Sequence, residues 1–262
     1  MEDFKVNWDA NKSIFKNISL LPNSIRGLII GASESGKTHL LFRMLLQDGF
    51  LDYNNLVIFS KSLNQPEYQV LIQGFKHKLT KEQIRKIFEN QDDLKDIPIN
   101  TVCELITNGD GKITVSAFKT NIDVPDPNSM DSSKKNLMVF DDVMLQKQRI
   151  IEEYYTKGRH NSTQVFYISQ SFFEIPKSTV RENANLLVLF KLADIDVANI
   201  HRQIVNCDMD LETFRRFCKK VWGKKYKYIV IDKFNEDLNW RYRDGFETPL
   251  NKILPEFNNI ND

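Results

Sequence analysis

The sequence predicts an α/β fold in which helices flank a mostly parallel central sheet, and three observations carry that expectation. Short apolar runs alternate with helical patterns along the chain, as strands joined by crossover helices do. The runs are continuously apolar, which suits strands buried on both faces. The first run feeds Gly31, Ala32, Ser33, Glu34, Ser35, Gly36, Lys37 and Thr38, which match G-x-x-x-x-G-K-[ST] between a strand and a helix.

The chain has 262 residues, 41% hydrophobic and 27% charged, with formal net charge +1. That composition supports one large core with an insertion. The near-zero charge does not mark a nucleic-acid binder, although local basic patches are compatible with it. Cys103, Cys207 and Cys218 are too few and scattered for a disulfide framework or a zinc site, so free thiols in a reducing intracellular compartment are expected. MEDFKVNWDANKS lacks an apolar signal region and no stretch reaches transmembrane length. A soluble chain without a membrane segment is therefore expected.

Core strands are expected at 27–30, 56–59, 137–140, 165–169, 186–190 and 226–231, with a helix from Lys37 to about Gln47. One domain spans 1–262, with an insertion at 61–135 and a tail at 236–262. Within the insertion, Thr80 and Gln83 are placed for a capping box on a helix over 80–90. Asn108-Gly109-Asp110-Gly111 before KITVSAF suggests a hairpin, and the Pro-, Ser- and Asp-rich stretch 123–135 an exposed loop. Residues 212–227 interleave basic and aromatic side chains, a pattern most simply met by a solvated helix with aromatic anchors.

The Gly31–Thr38 loop carries chemistry. Its glycines let backbone N–H groups turn inward around a β-phosphate, and the following helix N-terminus adds its dipole. Lys37 is a point charge for the β/γ oxygens of ATP, and the Thr38 hydroxyl a ligand for Mg²⁺. NLMVFDDVML ends an apolar strand in Asp141 and Asp142. Asp141 suits the magnesium side, and Asp142 the acceptance of a proton from an attacking water; the bland role for Asp142 is a helix cap. TKGRHNSTQVFYISQSFF places Arg159 and Gln170 at opposite ends of one strand. Ligands of open α/β sheets lie beyond the carboxyl ends of the strands. Gln170 is then placed to sense the γ-phosphate or hold the attacking water. Arg159 is poorly placed for its own nucleotide but could reach that of an adjacent subunit, unless it is a surface ion pair. Lys219, Lys220, Lys224 and Lys225 are candidates for contacts to the phosphates of an anionic partner.

GASESGKT, LMVFDD and YYTKGRHNSTQVFYISQSFFEIPKSTVRENAN together resemble the HerA–FtsK group of DNA-pumping ATPases, over roughly residues 25–195. Within it they most resemble the genome-packaging ATPases of poxvirus-type viruses, virophages and Polinton elements. The resemblance implies a P-loop NTPase of the RecA/FtsK-like type. It implies a homo-oligomeric ring, pentameric or hexameric, that drives double-stranded DNA into a capsid with ATP and Mg²⁺. Portal or vertex proteins of the capsid would be partners, in a virus factory or virion. It also implies Asp142 as base, Gln170 as sensor and Arg159 as a finger in trans, with Arg181 its rival. Many relatives carry Asp-Glu where this chain has Asp141-Asp142. A GTPase reading fails for want of a D-x-x-G and a guanine-reading motif, and a transporter ATPase for want of an LSGGQ-like segment. A P-loop kinase with 61–135 as its lid is the competing class, and a scaffold that only binds ATP a weaker one.

Overall fold

The structure is a computed structural model that describes residues 15–90, 97–106 and 109–259. The apolar runs form six parallel strands: β1 (Arg26–Ile30), β2 (Asn55–Ser60), β3 (Thr114–Phe118), β4 (Asn136–Asp141), β5 (Thr163–Ser169) and β6 (Leu186–Phe190). Antiparallel β7 (Tyr228–Asp232), β8 (Tyr242–Asp244) and β9 (Thr248–Pro249) extend one edge. The spatial order is β3-β2-β4-β5-β1-β6-β7-β8-β9. The α/β expectation therefore holds, with each of the six predicted strand cores found within two residues of its expected place.

Helices cover both faces: α1 (Lys37–Leu46), α2 (Pro66–Lys76), α3 (Lys81–Glu89), α4 (Ile99–Leu105), α5 (Arg149–Lys157), α6 (Asp194–Ile200), α7 (Leu211–Val221), α8 (Leu238–Arg241) and α9 (Leu250–Ile253). The pleat sorts the core in two. Ile29, Ile58 and Val139 pack with Leu41, Met44 and Tyr68 on the α1–α3 side. Leu28, Ile30, Phe59 and Phe140 pack with Tyr154, Tyr155, Phe214 and Phe217 on the α5 and α7 side. Successive strand residues point to opposite faces, so one unbroken apolar run supplies both layers. The Thr80–Gln83 capping box forms in full: Gln83 N–H donates to Thr80 Oγ1, and Thr80 N–H to Gln83 Oε1.

Two expectations are corrected. The stretch after Gly111 makes no hairpin: β3 pairs in parallel with β2 across the α2–α4 crossover. Asn108 lies outside the described residues, and the glycines serve a close approach instead of a turn. Gly111 N–H donates to Lys78 O at 2.8 Å, and a Cβ on Gly109 would lie 2.4 Å from that same oxygen. The segment 236–259 is no tail either. It supplies β8, β9, α8 and α9, and Tyr242, Leu250 and Leu254 are completely buried. Strands of two or three residues leave no periodicity to read. The last predicted strand is also trimmed, because Tyr226 is left-handed at φ 64° and β7 begins at Tyr228.

At the sheet centre, a Cβ on Gly27 would meet the Phe166 ring at 2.4 Å, while the Tyr155 hydroxyl donates to Gly27 O. Both neighbours are fully buried and unable to retreat. Gly27→Ala is expected to destabilise the fold by about 1–3 kcal/mol, the usual range for overpacking. Chemical denaturation with an unchanged slope would measure it.

Candidate active site

The loop from β1 to α1 is built so that only glycine fits at its first position. A Cβ on Gly31 would lie 2.6 Å from Phe190 Cβ and 2.7 Å from Ser35 Oγ. Gly31 N–H is anchored to Ser169 O on β5 at 3.2 Å. Gly36, at φ 100°, caps α1 with no side chain, so the first N–H groups of the helix stay available. Lys37 is buried, and its ammonium donates to Gly31 O at 2.7 Å and Ala32 O at 2.6 Å. Ser35 Oγ is buried without a hydrogen-bond partner. An ammonium held inside its own loop beside an orphaned hydroxyl fits a phosphate group.

Asp141 ends β4 and is buried; the Tyr68 hydroxyl on α2 donates to its Oδ2. Burial pushes the Asp141 carboxyl above the usual carboxylate range; the Tyr68 bond opposes this, the Asp142 charge adds to it, and Lys37 again opposes it. Burial likewise lowers Lys37, against the pull of Asp141. Tyr68 is held well above the ordinary phenol value by burial and by Asp141, so it stays a donor. Asp142 adopts φ 54°, a left-handed conformation that is uncommon outside glycine and clusters where structure is functionally constrained. It is exposed, and Ser62 Oγ donates to its Oδ2 at 2.6 Å. The alternative role for Asp142 finds no support here, since the next helix begins at Arg149 with Gln148 as its cap.

Strand order then gathers the rest. β5 lies between the acid strand β4 and the loop strand β1, so Gln170, the residue after β5, opens into the same cleft. That cleft, about 850 Å³, is lined by Lys37, Thr38, Asp141, Asp142 and Gln170, together with Ser33 and Glu34. Polar groups crowded around one opening at the carboxyl edge of a parallel sheet form the place such a fold offers a ligand.

Other predicted residues lie elsewhere. Arg159 sits in the turn Gly158–Asn161 before β5, exposed, at the edge of the sheet away from the cleft. Its charge acts on Arg26, whose pKa is lowered by burial first and by Arg159 second. Arg181 is buried, with Cζ 4.9 Å from the centroid of the Phe172 ring and with Nε and Nη1 unpartnered. Lys219, Lys220 and Lys224 are exposed, but Lys220 Nζ donates to Ile253 O at 3.0 Å. Lys225 lies beyond the helix: its pKa is raised, first by a hydrogen bond with Tyr226 and last by the charge of Glu34 in the phosphate loop. Sequence reasoning missed Tyr68 and Ser62, the donors to the two acids. A tyrosine on the inner side of an amphipathic helix reads as core, and only the fold brings it to Asp141.

No protein-family model matches the chain, and no curated protein matches it. Among solved structures it is similar to the DNA-packaging ATPase of Sulfolobus turreted icosahedral virus. The TM-score is 0.50 at 14% identity, over 81% of this chain and 93% of that one. The genome-packaging NTPase of Sulfolobus turreted icosahedral virus 2, in complex with sulfate, gives 0.49 at 12% identity, over 82% and 94%. VirB4 of Thermoanaerobacter pseudethanolicus gives 0.44 at 10% identity, over 80% and 87%. The first of these likenesses shows the fold, that of P-loop ATPases. Among the described residues, no helix is long and apolar enough to cross a membrane.

Proposed function

We propose that the chain is an ATP-hydrolysing motor that assembles as a ring and translocates double-stranded DNA, in the manner of a viral genome-packaging ATPase. The observation that carries this reading is the convergence of the phosphate loop, the acid pair and Gln170 on one cleft. Lys37 and the loop N–H groups hold the phosphates, and Thr38 and Asp141 are the residues that would hold Mg²⁺. The ion supplies neutralisation of charge on the transferring phosphoryl group. Asp142, exposed in the cleft and oriented by Ser62, accepts the proton of the attacking water. Gln170 positions that water or senses the γ-phosphate. Arg159 cannot serve its own cleft and is offered to that of a neighbour, whereas Arg181 is occupied against Phe172.

The kinase alternative loses its lid. The segment 61–135 supplies β3 of the sheet and the Tyr68 that holds Asp141, so it is built into the fold and the site. Phosphate transfer to an added acceptor would nevertheless restore that class.

Four outcomes test the motor. Lys37→Ala is expected to lose most ATP affinity, measured by calorimetry, because it removes a charge-assisted contact to phosphate. ATP hydrolysis by the parent is expected to rise with duplex DNA of any sequence. DNA affinity should fall steeply with salt as condensed counterions are released. A hydrolysis rate indifferent to duplex DNA would sink the motor reading, and sizing with a non-hydrolysable analogue would reveal the ring.

A further inference from the structure

The roles proposed for the cleft residues cover phosphate and metal and leave the nucleotide's base unassigned. Topology says where the base must go. The acids on β4, and β5 beside them, lie on one side of the loop strand β1, so the terminal phosphate points that way. The sugar and base leave toward the other side, over β6 and β7. There a second cavity of about 490 Å³ opens directly against the loop, lined by Gly36, His39, Arg43, Phe190, Tyr226 and Tyr228.

Tyr226 is the unusual member. It precedes β7 in a left-handed conformation, φ 64°, which a tyrosine rarely adopts without a constraint. The residue is 58% exposed, although the tyrosine two residues on packs against Phe190 and Phe246. A Cβ added at Gly36 would lie 3.4 Å from both Tyr226 Cδ1 and Phe190 Cε1, so glycine at the helix cap keeps this wall close to the phosphate loop. Lys225 holds its ammonium 4.7 Å from the Tyr226 ring centroid.

We infer that Tyr226 is the shelf on which the base of the bound nucleotide stacks, in a cavity that selects by ring area and not by base identity. The inference rests on the proposed nucleotide reading and adds the base subsite to it. Aromatic stacking is tolerant of base identity because every base presents a π-face. Apart from the exposed His39 and Arg43, the lining offers three aromatic rings, the aliphatic Leu40 and a glycine. Purine nucleoside triphosphates should therefore bind alike, and pyrimidines more weakly.

The test compares the parent with Tyr226→Ala and Tyr226→Phe, using ATP, GTP, CTP and inorganic tripolyphosphate as titrants. Tyr226→Ala is expected to weaken ATP and GTP binding roughly 5- to 150-fold, the stacking range for one base. Tripolyphosphate affinity should stay at the parent value, and Tyr226→Phe should restore nucleotide affinity. The preference for purine over pyrimidine should shrink with the shelf. Equal ATP affinity in the parent and Tyr226→Ala overturns the shelf and leaves the nucleotide reading standing. A Tyr226→Ala protein that loses affinity for duplex DNA only does the same. A parent that binds tripolyphosphate but gains nothing from a base also overturns the shelf. Failure of the parent to bind any triphosphate overturns both.

Discussion

Arg159→Ala is expected to fold and bind ATP as the parent does, yet to hydrolyse it about 10³- to 10⁵-fold more slowly, the contribution of an arginine finger. Its exposure and its distance from the cleft predict normal folding and binding. The rate loss follows from where its charge acts. A guanidinium supplied by a neighbour meets charge that develops on the phosphoryl group late, so it stabilises the transition state much more than bound ATP. Arg181→Ala is the control. Its side chain is packed on Phe172, so its removal is expected to lower stability first.

Asp142→Asn is expected to keep ATP bound and to lower turnover by about 10²- to 10⁴-fold, the usual contribution of a positioned general base. Asparagine preserves size and still accepts the Ser62 hydrogen bond, and it tolerates a left-handed backbone at least as well as aspartate. What disappears is the capacity to take a proton. A parental rate in Asp142→Asn would remove the residue from the chemistry. The two variants also test each other. An Asp142→Asn subunit keeps its arginine but cannot turn over, while an Arg159→Ala subunit can turn over if a neighbour lends the arginine. Mixing the two should recover part of the activity at concentrations where rings form. A mixture as inactive as its components would place Arg159 in its own subunit or in the fold alone. Recovery with Arg181→Ala in its stead would transfer the role.

The sheet was readable because its strands are buried on both faces, which prints them as unbroken apolar runs such as LMVF and VFYIS. The phosphate loop was readable because its geometry demands glycine at fixed spacing. What escaped has physical reasons. The dipeptide pattern around Gly109 and Gly111 looks the same whether glycine makes a turn or admits a neighbouring carbonyl, and only the path of Lys78 decides. Strands β8 and β9 are too short for a period. Tyr68 and Asp141 stand 73 residues apart, and no local pattern announces a contact of that span. Tyr226 was visible among basic residues, but its positive φ, which turns it toward Gly36, is a property of the folded backbone.

The strand order also sets a timetable for synthesis. β1 is made early, yet its two neighbours in the sheet are β5 and β6, residues 163–169 and 186–190. The anchor of the phosphate loop, Ser169 O, belongs to the same late segment. At ordinary rates of elongation the first strand waits on the order of ten seconds for its partners to leave the ribosome. During that interval the nascent chain has the loop's sequence but not its shape, and ATP in the cell finds nothing to hold. A nucleotide bound as proposed would stabilise the finished fold but could not template its beginning.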